Sequence, residues 1–190
     1  MTVLPAISTT AFALMCSDRI RRQWEHAAST DHLTGLANRR TLTEVGNERF
    51  AIAKIKGPSL AAAVLDIDNF KAINDTHGHE DGDKALIHVA FRLQVGTRKS
   101  DFIAQAGGEE FVVLMTGLDA ASAGAAAERL RLTVEQDIFS IGDEAIPLTV
   151  SIGVALYDED DRNFADMLRR ADKALYLAKS RGRNRVELAV

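Results

Sequence analysis

Two pairs of carboxylates in this chain are spaced for work on a hard cation. Asp66 and Asp68 stand at the end of the apolar run Leu60 to Ile67. Side chains alternate in direction along a strand, so these two share a face and Ile67 points the other way. A carboxylate at a strand end lies half out of the core and is free to hold a cation. Glu109 and Glu110 follow Gly107-Gly108, two small residues that permit a tight turn and a close backbone approach to a ligand. Adjacent carboxylates point to different sides, so at most one of this second pair joins a given acidic cluster. If the two segments are neighbouring strands, Asp66 and Glu109 converge on Mg²⁺, which takes a few carboxylates, several waters and a substrate's phosphate oxygens. Alone, either pair reads first as solvated turn charge; the two together are more telling.

The surrounding elements set those positions. Asn38 is placed to cap a helix running to about Lys56, where Gly57-Pro58 ends it. Leu60 to Ile67 is unbroken enough to be a buried central strand. A short helical segment around Phe70 to Asn74 leads to the polar loop His77-Gly78-His79, whose imidazoles read as turn packing and not as a metal pair. Asp81 to about Val95 is a helix with Ala85, Leu86, Val89, Ala90 and Leu93 inward. Phe102 to Ala106 and Phe111 to Met115 form a hairpin about the glycine pair. A helix from Ala120 to Gln136, a strand from Leu148 to Leu156, a helix from Phe164 to Ser180 and a strand from Val186 to Ala189 complete the order. Alternating strands and helices about a tight hairpin predict an α/β (α+β) sandwich, partly antiparallel.

The 190 residues suffice for one domain and a short extension. A net charge of −4 excludes a general nucleic-acid or anionic-membrane surface, so an anionic ligand must be met by a metal or a local basic cluster. The single cysteine, Cys16, excludes an internal disulfide framework and fits a reducing, cytoplasmic setting. Residues 1–30 read as an N-terminal helical stalk, with Ser17 to Ser29 a charged helix. Val3 to Cys16 is a buried helix start or the tail of a removed membrane or sensor region, with Arg19, Arg21 and Arg22 on its cytoplasmic side as in an inner-membrane protein. Residues 31–190 read as one domain.

Five segments carry a resemblance to the GGDEF family of diguanylate cyclases: Asp31 to Arg40, Asp66 to Asp83, Gly107 to Phe111, Ser151 to Ala155 and Ala171 to Asn184. Together they span about residues 30–187, in the family's order. The resemblance implies a palm-like nucleotidyl-cyclase fold, with a central, mostly antiparallel five-stranded sheet flanked by helices. It also implies Mg²⁺ (with Mn²⁺ as a substitute), two ions per active site when GTP is bound, held by Asp66, Glu109 and the Ile67 carbonyl. Asn74 and Asp83 match the guanine-reading positions; a carboxylate accepts from guanine N1–H, which adenine lacks. Phe70 and Lys71 match the loop that wraps the phosphates, and Lys179 and Arg183 the residues that hold the terminal ones. The last two share a helix face if the helix persists through Gly182. Glu110 matches a general base or a further metal ligand, and Asn38 a position near the nucleotide.

The reaction so implied joins two GTP molecules into cyclic di-GMP and two pyrophosphates, across two domains facing one another as a homodimer. Arg98-Lys-Ser-Asp101 resembles the family's RxxD inhibitory site for the product. One departure stands out. Gln105-Ala106 precedes the glycine pair, where the family usually has Arg and a bulky residue, so a guanidinium near the hairpin is missing. A degenerate GTP-binding or cyclic-di-GMP-binding regulatory domain without turnover is the alternative this departure supports; the intact Glu109, Glu110, Lys179 and Arg183 oppose it.

Overall fold

The computed structural model describes residues 29–57 and 60–189. The expected stalk therefore lies outside the described residues, apart from its last two. Five helices and seven strands follow in the order α1 (Arg39–Lys56), β1 (Leu60–Ile67), α2 (Phe70–His77), α3 (His79–Gly96), β2 (Phe102–Gly107), β3 (Glu110–Thr116), α4 (Ala120–Glu135), β4 (Phe139–Ile141), β5 (Glu144–Ile146), β6 (Val150–Leu156), α5 (Phe164–Ser180) and β7 (Val186–Leu188). Asn38 caps α1 as its type predicts, accepting from the Thr41 N–H at 3.1 Å.

The main sheet runs β2-β3-β1-β6-β7. Its pairs are antiparallel except β6 with β7, which are parallel and connected through α5, as a crossover requires. The central place of β1 explains its composition: every residue of it is buried, since helices cover both faces. Ala61, Ala63, Leu65 and Ile67 point into a core closed by α2, α3 and α4. Leu60, Ala62 and Val64 point into a second core beneath α1 and α5. Phe111, fully buried in the first core, anchors β3, and its truncation to alanine would cost about 3–5 kcal/mol.

Close approach sets how α5 lies on the sheet. A side chain at Gly153 of β6 would collide with the α5 backbone at Ala171 and Leu175, so the helix sits directly on the strand. That contact carries Lys179, at the end of α5, to the end of β1.

Besides shifts of a residue or a few at several element ends, three differences from the expectation stand out. The second helix of the pair at Gly78 starts at His79 instead of Asp81, so His77 and His79 end one helix and begin the next. Strand β6 starts at Val150, not Leu148. The small hairpin β4–β5 was not expected, although Ile141-Gly-Asp-Glu144 carries the residues of a two-residue turn.

Candidate active site

Pairing of β1 with β3 sets Asp66 opposite Glu110, and the Ile67 N–H points to the Glu109 carbonyl at 3.4 Å. The two carboxylate segments, far apart in the chain, thus meet at one edge of the sheet. A cavity of about 520 Å³ opens there, lined among others by Asp66, Ile67, Glu109, Phe70, Lys71, Lys179 and Arg183. Asp75 also lines it, a residue the sequence did not single out.

Lys179 Nζ lies 2.8 Å from Asp66 Oδ2. Burial pushes the Asp66 carboxyl up, the Lys179 hydrogen bond and charge pull it back, and Glu109 and Asp68 push it up again. Burial wins, and the carboxyl stands above its ordinary value. Among the described residues no three His, Cys, Asp or Glu side chains are grouped to hold a metal by themselves. Two carboxylates and a carbonyl, with phosphate and water filling the other positions, nevertheless fit the oxygen-rich, partly hydrated shell of Mg²⁺. The Lys179 ammonium already places one positive charge on Asp66.

Asp68 has a different part. It is buried and accepts from Thr149 Oγ1 at 2.8 Å, Ser151 Oγ at 2.6 Å and the Asn184 N–H at 3.0 Å. With both oxygens engaged, it fastens β1 to β6 and to the turn after α5, which corrects its reading as a carboxylate free for a cation.

Lys179 and Arg183 reach the same cavity by another route than a shared helix face. Helix α5 stops at Ser180, and Arg183 has a left-handed backbone with φ 62°. Gly182, at φ 114°, ends the helix as glycine does. Phe70, Lys71 and Ala72 in the first turn of α2 line the cavity too; the Ala72 N–H already donates to the Asn69 carbonyl at 2.9 Å, and the start of a helix suits an anion. Asn74 and Asp83 are not among the lining residues. They are brought together outside it: a side chain at Gly82 would strike the Asn74 amide, so α3 passes Asn74 at the residue before Asp83.

Glu110 lines an adjoining cavity of about 340 Å³ between α1 and α5, with Arg39, Asn47, Ala106 and Asp172. Partial desolvation raises its carboxyl first, then the charges of Asp66 and Asp172, against Lys179. Gln105 is buried and joins two segments. Its Oε1 accepts from Thr34 Oγ1 at 2.6 Å and its Nε2 donates to the Gly108 carbonyl at 2.7 Å. Thr34 belongs to the turn organised by Asp31, whose Oδ1 accepts from the Leu33 and Thr34 N–H groups. The residue that departs from the family pattern is therefore integrated into the hairpin. Arg98 and Asp101 lie away from both cavities, in a turn closed by the Arg98 N–H on Asp101 Oδ2 at 2.8 Å.

The profile of the family described as diguanylate cyclase, GGDEF domain, matches residues 28–185. The chain is 43% identical to the diguanylate cyclase DgcP of Pseudomonas aeruginosa over 162 residues, 85% of this chain and 24% of that protein. It is 40% identical to the response regulator PleD of Caulobacter vibrioides over 175 residues, 90% of this chain and 38% of that one. Among solved structures, the coiled coil and GGDEF domain of DgcB from Caulobacter crescentus, in complex with c-di-GMP, superposes with a TM-score of 0.87 at 32% identity, covering 96% of this chain and 98% of that chain. Diguanylate cyclase SiaD from Pseudomonas aeruginosa, in complex with its activator SiaC, does so with 0.83 at 34%, covering 97% and 70%. The chain belongs to the GGDEF-domain family of diguanylate cyclases. It spans well under half the length of the curated relatives named here.

Proposed function

We propose that this domain condenses two GTP molecules into cyclic di-GMP, releasing two pyrophosphates. The observation that carries the reading is the meeting of Asp66, Glu109, Lys179 and Arg183 around one cavity. It offers anionic groups for divalent metal beside cationic groups for a triphosphate. Lys179, Arg183 and the first-turn N–H groups of α2 bind the phosphates; Asn74 and Asp83, outside the cavity lining, read guanine. Asp66, Glu109 and the Ile67 carbonyl would hold Mg²⁺ or Mn²⁺, two ions with GTP bound, which would supply charge stabilisation at the α-phosphorus and on the leaving pyrophosphate. The 3′-hydroxyl of the second GTP attacks that phosphorus. Glu110, opposite Asp66 across the β1–β3 pair, is placed either to accept the proton or to hold a metal ion.

The cavity beside Asp66 and Lys179 is read as holding one GTP, so the second comes from a facing copy, and catalysis needs a homodimer. No helix among the described residues is long and apolar enough to cross a membrane. A cytoplasmic setting, which the GTP substrate requires, is part of this reading. So is inhibition by the product through Arg98 and Asp101.

The test is incubation of the purified chain with GTP and Mg²⁺ at several protein concentrations, with mass spectrometry of the product. Cyclic di-GMP should form at a rate rising faster than linearly with enzyme, and Glu110→Ala should stop it. Tight GTP binding with no dinucleotide at any concentration would overturn the cyclase reading and leave a regulatory GTP-binding domain.

A further inference from the structure

The turn Gly182-Arg183-Asn184 is held from α4 by a polar cluster that the proposed reaction does not use. Arg183 and Asn184 both have left-handed backbone, at φ 62° and 46°. Asparagine adopts that conformation readily, whereas arginine keeps it only where its surroundings hold it. The imposing group is visible. Asn184 Oδ1 accepts from Arg131 Nη1 at 2.6 Å, and Asn184 Nδ2 donates to Glu135 Oε1, also at 2.6 Å. The Asn184 backbone N–H donates to Asp68 Oδ2 at 3.0 Å.

Arg131 is itself tightly fixed. Its side chain is 10% exposed. Its Nε and Nη2 donate to Glu128, and its Nη1 also reaches Glu135 Oε2 at 2.7 Å. Its carboxylate partners stay much more open, with the Glu128 and Glu135 side chains 45% and 38% exposed, and ion pairs so close to solvent contribute little stability. A rigid planar fork is, however, well suited to holding another group in one orientation. What it holds is the residue next to Arg183, and Arg183 lines the cavity with Asp66 and Lys179. Arg131 does not line that cavity.

We propose that Arg131 is a positioning residue for triphosphate binding: with Glu135 it clamps Asn184, and the clamp fixes the left-handed turn that directs Arg183 into the cavity. This rests on the reading of Arg183 as a phosphate-holding residue. Arg131 acts through Asn184 and makes no contact with substrate.

The experiment measures calorimetric binding of a non-hydrolysable GTP analogue with Mg²⁺, and of GMP, which lacks the terminal phosphates. The proteins are the full chain and its Arg131→Met, Arg183→Ala and doubly substituted forms, each with its folded fraction checked by circular dichroism. Arg131→Met should weaken the analogue about tenfold, the scale of a displaced charge-assisted hydrogen bond. It should leave GMP affinity unchanged and add little to Arg183→Ala. Should Arg131→Met fail to fold, Asn184→Gly takes its place; glycine keeps the left-handed turn accessible and removes the clamped amide. It should show the same selective loss. Equal weakening of both ligands, or effects of the two single substitutions that simply add, overturns the proposal. If Arg183→Ala binds the analogue normally, the phosphate-holding reading fails first. If Arg183→Ala weakens it and neither Arg131→Met nor Asn184→Gly does, only the positioning role falls.

Discussion

Lys179 Nζ and Asp66 Oδ2 lie 2.8 Å apart, joining the last turn of α5 to the end of the central strand. On the proposed reading the ammonium and a divalent cation contend for the same carboxylate, so removing one should favour the other. Lys179→Met should bind Mn²⁺ alone roughly tenfold more tightly, since a unit charge at contact distance is worth that much even when well screened. The same substitution should lower cyclic di-GMP synthesis by about a hundredfold or more, as loss of a phosphate-binding cation does. Paramagnetic titration of free Mn²⁺ without nucleotide, beside the turnover assay, separates the two effects. Weaker metal binding in Lys179→Met would contradict the competition.

Gln105 links the Asp31 turn to the hairpin that carries Glu109, so its substitutions should act on the tip. Gln105→Leu removes both hydrogen bonds of a buried amide and should cost about 1–3 kcal/mol of stability. Gln105→Glu still accepts from the Thr34 hydroxyl but cannot donate to the Gly108 carbonyl. Amide hydrogen exchange at residues 107–110 should therefore quicken in both variants, and turnover should fall with it. Unchanged exchange at those amides would show that the hairpin holds its own shape.

Arg98 has an exposed side chain, whereas the Asp101 carboxylate already receives the Arg98 N–H. Arg98→Ala is therefore the cleaner probe of the proposed inhibitory site, because Asp101→Ala would also undo the turn. The concentration of cyclic di-GMP giving half-inhibition should rise by about tenfold or more, as for loss of a charge-assisted contact, with uninhibited turnover retained. Identical inhibition curves would place the inhibitory site elsewhere.

Asp166, in the first turn of α5, receives hydrogen bonds from Arg162 and Arg169. The Arg162 hydrogen bond, ahead of Arg169, holds its carboxyl well below the usual carboxylate range. A depressed folded-state value means that its stabilisation is fully present above the unfolded carboxylate pKa and is lost as pH falls through the folded one. Thermal midpoints of the native chain and Asp166→Asn should thus differ at neutral pH and converge in strong acid. A gap that stays constant with pH would assign the loss to helix capping and not to charge.

The sequence made legible what depends on local pattern. Asn38 announced the start of α1, the apolar run of β1 announced a strand covered on both faces, and Gly107-Gly108 announced the hairpin that sets Glu110 opposite Asp66. Less legible were features settled by contacts between distant segments. Gly182 was the one local hint that α5 would stop, but the left-handed path of Arg183 is imposed by Arg131, 53 positions away from Asn184 in the chain. Asp68 looked like a twin of Asp66 until Thr149 and Ser151 proved to occupy it. Gln105 read as a missing charge because its partner, Thr34, is 71 residues earlier. No periodicity encodes such pairings.

Three consecutive alanines, Ala61, Ala62 and Ala63, occupy the middle of β1 with no exposed surface. Ala62 faces the core beneath α1 and α5, while Ala61 and Ala63 face the core closed by α2, α3 and α4. With every one of them fully enclosed, growth to valine on either face would force overpacking and a shift of the neighbouring elements. Room for variation lies at the rim, and the edge bearing Asp66 inherits its steadiness from a centre that cannot be thickened.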